Sequence, residues 1–314
     1  MKNFARSLFV FASIAGSNAV TAQSETEAMF VLSDIVAQLS GTFDNEPQIF
    51  LEQAFDDGQG QLHTRAKLQA KLLDRTVNRT AEFLVYLEET ELVEIWRFSV
   101  SAELRGVRML RFAIDDVEAW GAATVDLPEN EPIPCEHVWF QGQGNVYGQS
   151  VAEMCDEEAY EFILSEDGLW ILNRTNDDGR LAPVEPRSIH TKFFRATRME
   201  CFVNILHAGQ PSDAGLGGRT LINPIYLHDR GDTFEFETKE PSSRKFILKL
   251  RRSMWPSRSG RNFVPMLIIY LYQDRIAQDM IAGSAWASAN SDRVAFDAGG
   301  IGARCKNAKP TAAR

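Results

Sequence analysis

The 314-residue chain is 44% apolar and carries 33 Lys and Arg against 43 Asp and Glu, a formal net charge of −10. That length and composition suffice for a well-buried core in one large or two medium domains. The excess of acid counts against general nucleic-acid binding, which rests on neutralising phosphates with Lys and Arg. No segment reaches the roughly 18 uninterrupted apolar residues of a membrane-spanning helix, the best run being VPMLIIYLY at 264–272.

Residues 1–22 begin with Lys2 and Arg6, continue through the apolar run Leu8 to Ala15 and end on Val20-Thr21-Ala22. A charged start, a short apolar middle and a small-x-small end have the order of a cleavable secretory signal. Cleavage after Ala22 would remove two cations and no acid, taking the charge from −10 to −12. The expected location is therefore the periplasm or the medium. Next, ETEAMFVLSDIVAQLSG places Met29, Leu32, Val36 and Leu39 at helical spacing before Gly41, which predicts one amphipathic helix plugging or leaning on a sheet. Residues 55–61 read as a loop, and the basic positions Arg65, Lys67, Lys71 and Arg75 fit either a solvated helix or strands.

From Glu82 the pattern turns to strands in EFLVYLEE, LVEIWRFSV and VRMLRFAI. Phe83, Val85 and Leu87 share one face of the first and Leu84, Tyr86 and Glu88 the other. Both faces are thus partly apolar, as in a barrel that holds core and ligand inside, or a sandwich strand covered by the helix. PCEHVWFQGQGNVYGQSVAEMC at 134–155 reads as a hairpin flanked by Cys135 and Cys155, and YEFILSEDGLWILNRTNDDG as further strands with a turn at Asp177-Asp178-Gly179. Beyond a boundary near residue 198, the segments at Cys201, INPIYLHD, DTFEFETK, RKFILKLRR, VPMLIIYLYQ and AWAS form a second β-rich region over 199–305, and 306–314 is a polar tail. The fold class is all-β.

Four cysteines allow three pairings, and export favours their oxidation. One pair per region gives Cys135 with Cys155 and Cys201 with Cys305. A zinc site is disfavoured because no two lie two to four residues apart, and the five histidines lack H-x-x-x-H spacing. No G-x-S-x-G is present, and GLGG at 215–218 leads into a strand rather than a helix, so it is no nucleotide loop. Neither metal nor cofactor is expected. The N-x-T triplets at Asn78 and Asn173 read as chance. Lys245, Lys249 and Arg251 share one face of RKFILKLRR and read as protection of a sheet edge.

Glu88, Glu89 and Glu94 lie near Trp96 and Arg97 in sequence, a set able to orient a polar group at a barrel mouth, although such acid and Arg pairs are commonly solvated surface pairs. Arg174 could hold a carboxylate with paired hydrogen bonds, against the plainer reading of a turn arginine. The candidate ligand-binding residues are therefore Glu88, Trp96, Arg97 and Arg174, with no catalytic residue assigned.

LSGTFDNEPQ at 39–48, VYLEE at 85–89, EIWRF at 94–98, the Cys135–Cys155 hairpin with Gly148, YEFILSEDGLWILNRTNDDG and KFFRA at 192–196 occur in the order in which the CpcT/CpeT chromophore lyase family carries similar segments. The first region, about 39–196, resembles that family. The resemblance implies a calycin-type, lipocalin-like barrel holding an open-chain tetrapyrrole and passing it to a cysteine of an acceptor protein, hence a bilin lyase with a bilin-like ligand. The chain departs from the pattern in two places. The Tyr-Arg-rich strand is reduced to Trp96-Arg97, and Asn173 stands where the family has an Asp, which removes a carboxylate able to hold pyrrole N–H groups or move a proton. Three functions compete: a lyase, a non-enzymatic binder of a hydrophobic carboxylate, and an envelope interaction module whose barrel is filled by side chains. Burial of large side chains along the inward strand positions would favour the third.

Overall fold

The computed structural model describes residues 13–54, 63–73, 79–114, 118, 120, 131–151, 155, 160–173, 190–256 and 262–308, with side chains from residue 25 onward in the first helix. The chain divides into two compact units between Arg195 and Ala196.

The first unit opens with α1 (Ser13–Leu39), which runs through the expected cleavage point at Ala22; the first twelve residues of the expected signal lie outside the described residues. Ala28, Val31, Leu32, Ile35 and Leu39 are buried at intervals of three and four, one stripe of an amphipathic helix. Met29, placed on that stripe by the sequence reading, is instead 38% exposed. The chain turns out of α1 at Gly41, whose φ of +137° disfavours any side chain. Arg195 covers the helix end by donating to the carbonyls of Gln38, Ser40 and Glu166, and its guanidinium lies over the Phe43 ring at 4.8 Å. Of the last-turn carbonyls, which have no partner inside the helix, that of Gln38 is satisfied in this way.

Ten strands follow: β1 (Gly41–Asp44), β2 (Lys67–Leu72), β3 (Thr80–Leu87), β4 (Leu92–Ser101), β5 (Gly106–Ile114), β6 (His137–Gln141), β7 (Val146–Ser150), β8 (Tyr160–Ser165), β9 (Gly168–Asn173) and β10 (Thr191–Arg195). Each pairs antiparallel with the next, and β10 returns to β1 to close a barrel. Between β1 and β2 sits α2 (Glu46–Ala54), a helix the sequence reading left ambiguous. The Asp44 carboxylate accepts from the Glu46 amide at 2.7 Å, and Pro47 occupies the first turn, where its missing N–H costs nothing. The Asn45 side chain bonds Thr64 and Ala66 in the approach to β2, and Gln48 bonds the main chain of His190 and Lys192 at β10. The run from Asp44 to Gln48 thus latches α2 to both neighbours of β1.

Alternation along β3 is as expected: Phe83, Val85 and Leu87 join the interior core, while Leu84 and Tyr86 join an outer cluster with Val93, Ile95 and Phe112. A barrel of ten strands is wider than the eight whose interior side chains alone fill. Here rings and a helix occupy the extra width. Phe43, Phe83, Phe98, Trp139 and Phe193 are fully buried in one cluster with the α1 stripe. Trp139 stacks on Phe162 at 5.2 Å, and a Cβ at Gly148 would stand 2.6 Å from the Trp139 indole, so glycine makes room for the ring. Cys135, just before β6, and Cys155, beyond β7, are bridged, which ties the hairpin at its open end. The β8–β9 turn is Glu166-Asp167; the expected Asp177-Asp178-Gly179 turn lies outside the described residues.

The second unit contains β11 (Arg198–Leu206), β12 (Arg219–His228), β13 (Arg230–Glu237), β14 (Lys245–Pro256), β15 (Phe263–Gln273), β16 (Ile281–Ser288), β17 (Arg293–Ala298) and β18 (Ile301–Asn307). They form two four-stranded sheets, ordered β12-β11-β18-β17 and β13-β14-β15-β16. Val203, Ile205, Phe246, Leu248, Leu250 and Ile269 meet in a single core. The segment KFFRATRMECFVNIL is broken at Ala196-Thr197, its first part closing the barrel and its second opening the sandwich. Cys201 and Cys305 face each other in register on β11 and β18 and are bridged, giving both pairings expected. Because β14 pairs on both sides, edge protection is not the role of its cations. Lys245 instead pairs with Glu235 across the ladder at 2.6 Å, and Arg251 is buried.

Candidate functional site

The polar groups inside the barrel lie at the end remote from Gly41. On β4, Glu94, Trp96 and Phe98 alternate with outward residues, which brings Glu94 and Trp96 to the interior with Phe98. In the β4–β5 ladder Trp96 stands opposite Arg111, so Glu94 is the diagonal neighbour of Arg111. Arg111 donates to both Glu94 oxygens, from Nε at 2.9 Å and from an Nη at 2.7 Å, and Trp96 Nε1 donates to the same carboxylate at 2.6 Å. All three residues are buried. Above them Leu68, Val85, Leu87, Leu92 and Phe162 wall a cavity of about 30 Å³. That is room for about two water molecules.

His137, on β6 opposite Met109, points into the same end, its ring edge-on to Phe162 at 5.2 Å. Burial, and then the Arg111 charge, push its pKa down to about 3, so near neutral pH it is a neutral ring and carries no proton to give as an acid. In the unfolded chain a histidine titrates near 6.5. Between about pH 3 and 6.5 the unfolded state therefore binds the extra proton, and stability falls as pH drops through that window. Unfolding of the wild type at pH 7 and pH 4 is expected to show a loss of a few kcal/mol that the His137→Gln variant largely lacks; equal losses in the two proteins would remove His137 from this role.

Of the four candidate ligand-binding residues, only Trp96 belongs to this cluster, together with Glu94, which the sequence reading had named beside it. Arg97 is the next residue on β4 and so lies on the outer face, where its Nε donates to Glu82 at 2.7 Å and its guanidinium lies over the Phe112 ring. Glu88 follows β3 at the outer rim and pairs with Lys67 at 2.6 Å. Arg174 lies outside the described residues, as does the turn that contains it. The residues the sequence reading passed over are Arg111 and His137. Their signal was phase: Arg111 alternates with the apolar Val107 and Met109, and His137 with Trp139.

Three donors take up most of the roughly four acceptor sites of the Glu94 carboxylate, and Arg111 holds it through two of its nitrogens. The arrangement is that of a buried ion pair lining a small, mostly apolar gap. Compared with known proteins, the chain matches no family profile, no curated protein and no solved structure.

Proposed function

We propose that the chain is an exported, non-enzymatic interaction module in which the barrel is a packed scaffold and binding is done by outer surfaces. The observation that carries this reading is the filled interior: Phe43, Phe83, Phe98, Trp139, Phe162 and Phe193, with the α1 stripe, leave about 30 Å³ at the mouth. Sites for cofactor-sized ligands run to roughly 300–1,000 Å³. Export is supported by the order of residues 1–22 and by two disulfides, which persist in oxidising compartments. Cleavage after Ala22 would keep every residue of the α1 stripe, since that begins at Ala28.

A second reading, a barrel that binds a hydrophobic carboxylate at its mouth, has in its favour the apolar gap beside Arg111. The bilin lyase activity that the resemblance implies has less to rest on. Asn173 stands where that family has an Asp, which removes a carboxylate able to hold pyrrole N–H groups or move a proton.

Native mass spectrometry of the protein purified from the compartment to which it is exported separates these readings. The scaffold reading predicts the mass of the processed chain alone, starting at Gln23. A stoichiometric small molecule, whose removal lowers the melting temperature, would replace it with the binding reading.

A further inference from the structure

The outer face of the β12-β11-β18-β17 sheet carries a groove of about 520 Å³. Its volume is within the range of ligand sites. Sheet registers lay the groove out in two rows. Arg293, Lys306, Glu200 and Tyr226 stand opposite one another across β17, β18, β11 and β12, a row about 14 Å long at the usual strand spacing. Two residues along the strands, Ala295, Arg304 and Phe202 form a second row.

The chemistry of the face is mixed in a specific way. The Arg304 guanidinium lies over the Phe202 ring at 4.9 Å, and the Arg198 guanidinium over the Tyr226 ring at 4.2 Å. Stacking of this kind fixes the planar fork of an arginine, with its N–H groups left to the groove. Lys306 stands 3.6 Å from Glu200. Arg293, Arg304 and Lys306 thus outnumber the one lining carboxylate, on a chain whose net charge is −10. Phe202 supplies an apolar ring to the lining, Tyr226 stands half exposed at the end of the first row, and Glu200 and Asn223 offer acceptors.

We infer that this groove binds an acidic oligosaccharide, its carboxylates on Arg293 and Arg304 and its ring faces against the aromatic side chains. Each element of the groove favours that class. A sugar acid presents carboxylates to guanidinium forks, hydroxyls to Glu200 and Asn223, and apolar C–H faces to a ring. A polyphosphate would match the cations but has no apolar C–H face to lay on the Phe202 ring. An acidic peptide could not join as an added strand, because the groove lies on the sheet face, where the backbone groups are already paired. The inference rests on the reading of outer surfaces as the working part of the molecule.

The test is calorimetric titration of the full processed chain with trigalacturonate, beside maltotriose, hexaglutamate and an oligothymidylate of similar length. Trigalacturonate alone is expected to bind, with weaker binding as salt rises. Arg293→Ala and Arg304→Ala should each weaken it about tenfold, and Lys71→Ala, on the barrel exterior, should not. These side chains are exposed, so unchanged melting temperatures should accompany the loss. No binding of trigalacturonate, binding indifferent to Arg293 and Arg304, or equal binding of hexaglutamate or oligothymidylate would overturn the inference. A ligand found inside the barrel would end the scaffold reading and leave these outcomes unaffected.

Discussion

Replacing Arg111 by methionine is expected to lower the stability of the barrel unit by about 3–5 kcal/mol, the cost of leaving a buried charge without its partner. In the wild type, Glu94 gives up its hydration for two bonds from Arg111 and one from Trp96. Arg111→Met leaves the Trp96 bond and a carboxylate that is 4% exposed. Adding Glu94→Gln removes the charge while keeping an oxygen for the Trp96 indole. The double variant should then recover most of the loss, because a buried ion pair as a whole contributes little relative to neutral groups of the same shape. Urea unfolding of the wild type, the two single variants and the double variant forms the required cycle. Additive losses would mean that the pair is not coupled.

The second large effect is expected in the sandwich. Cys201 and Cys305 enclose a separation of 104 residues, nearly the whole of the second unit. On the chain-entropy argument, a cross-link around a loop of that length stabilises by about 4.7 kcal/mol. A Cys201→Ala/Cys305→Ala variant should lose stability of that order, a large part of the roughly 5–15 kcal/mol that holds a typical domain. Cys135 and Cys155 are separated by only 20 residues, and their removal should cost about 3 kcal/mol on the same argument. Guanidinium unfolding followed by fluorescence measures both. A smaller loss for the longer loop would show that strain or residual denatured structure, rather than loop closure, controls these bridges.

The sequence revealed the strands more fully than it revealed what they hold. Period-two alternation in EFLVYLEE sorted Phe83, Val85 and Leu87 from Leu84 and Tyr86, and the two faces appear in two separate clusters. Cysteine spacing and the export signature gave both disulfides. The α1 stripe was found one position out of phase at Met29, because Met29 and Ala28 differ in hydropathy in the direction opposite to their burial. The short α2 was hidden because much of its order comes from Asn45 and Gln48 bonding segments far away in sequence, which no local pattern reports. β17 and β18 escaped notice because Arg293, Asp297, Arg304 and Lys306 on their outer faces dilute the apolar signal.

The candidate site was less legible for the same reason. Trp96 and Arg97 are neighbours in sequence, and a strand sends neighbours to opposite faces, so the pair could not act together. The true partners, Glu94 and Arg111, are seventeen residues apart. Their meeting follows from the hairpin register, which the turn between Ser101 and Gly106 sets. Glu94 was named from the sequence beside Trp96, but Arg111 was not; both sit in phase with apolar residues, and a charged residue in phase with the core is the pattern that would have joined them. How full the barrel is depends on how six rings and a helix pack together, which periodicity does not encode.

The packed interior can be read directly from the tryptophan indole N–H resonances of the labelled protein during titration with biliverdin and, separately, dodecanoate. Trp96 borders the small gap lined by Leu68, Val85 and Leu92, and Trp139 lies fully buried on Phe162, so both signals are predicted to stay in place up to saturating ligand. A saturable displacement of the Trp96 signal by either compound would contradict the scaffold account and put a ligand inside the barrel.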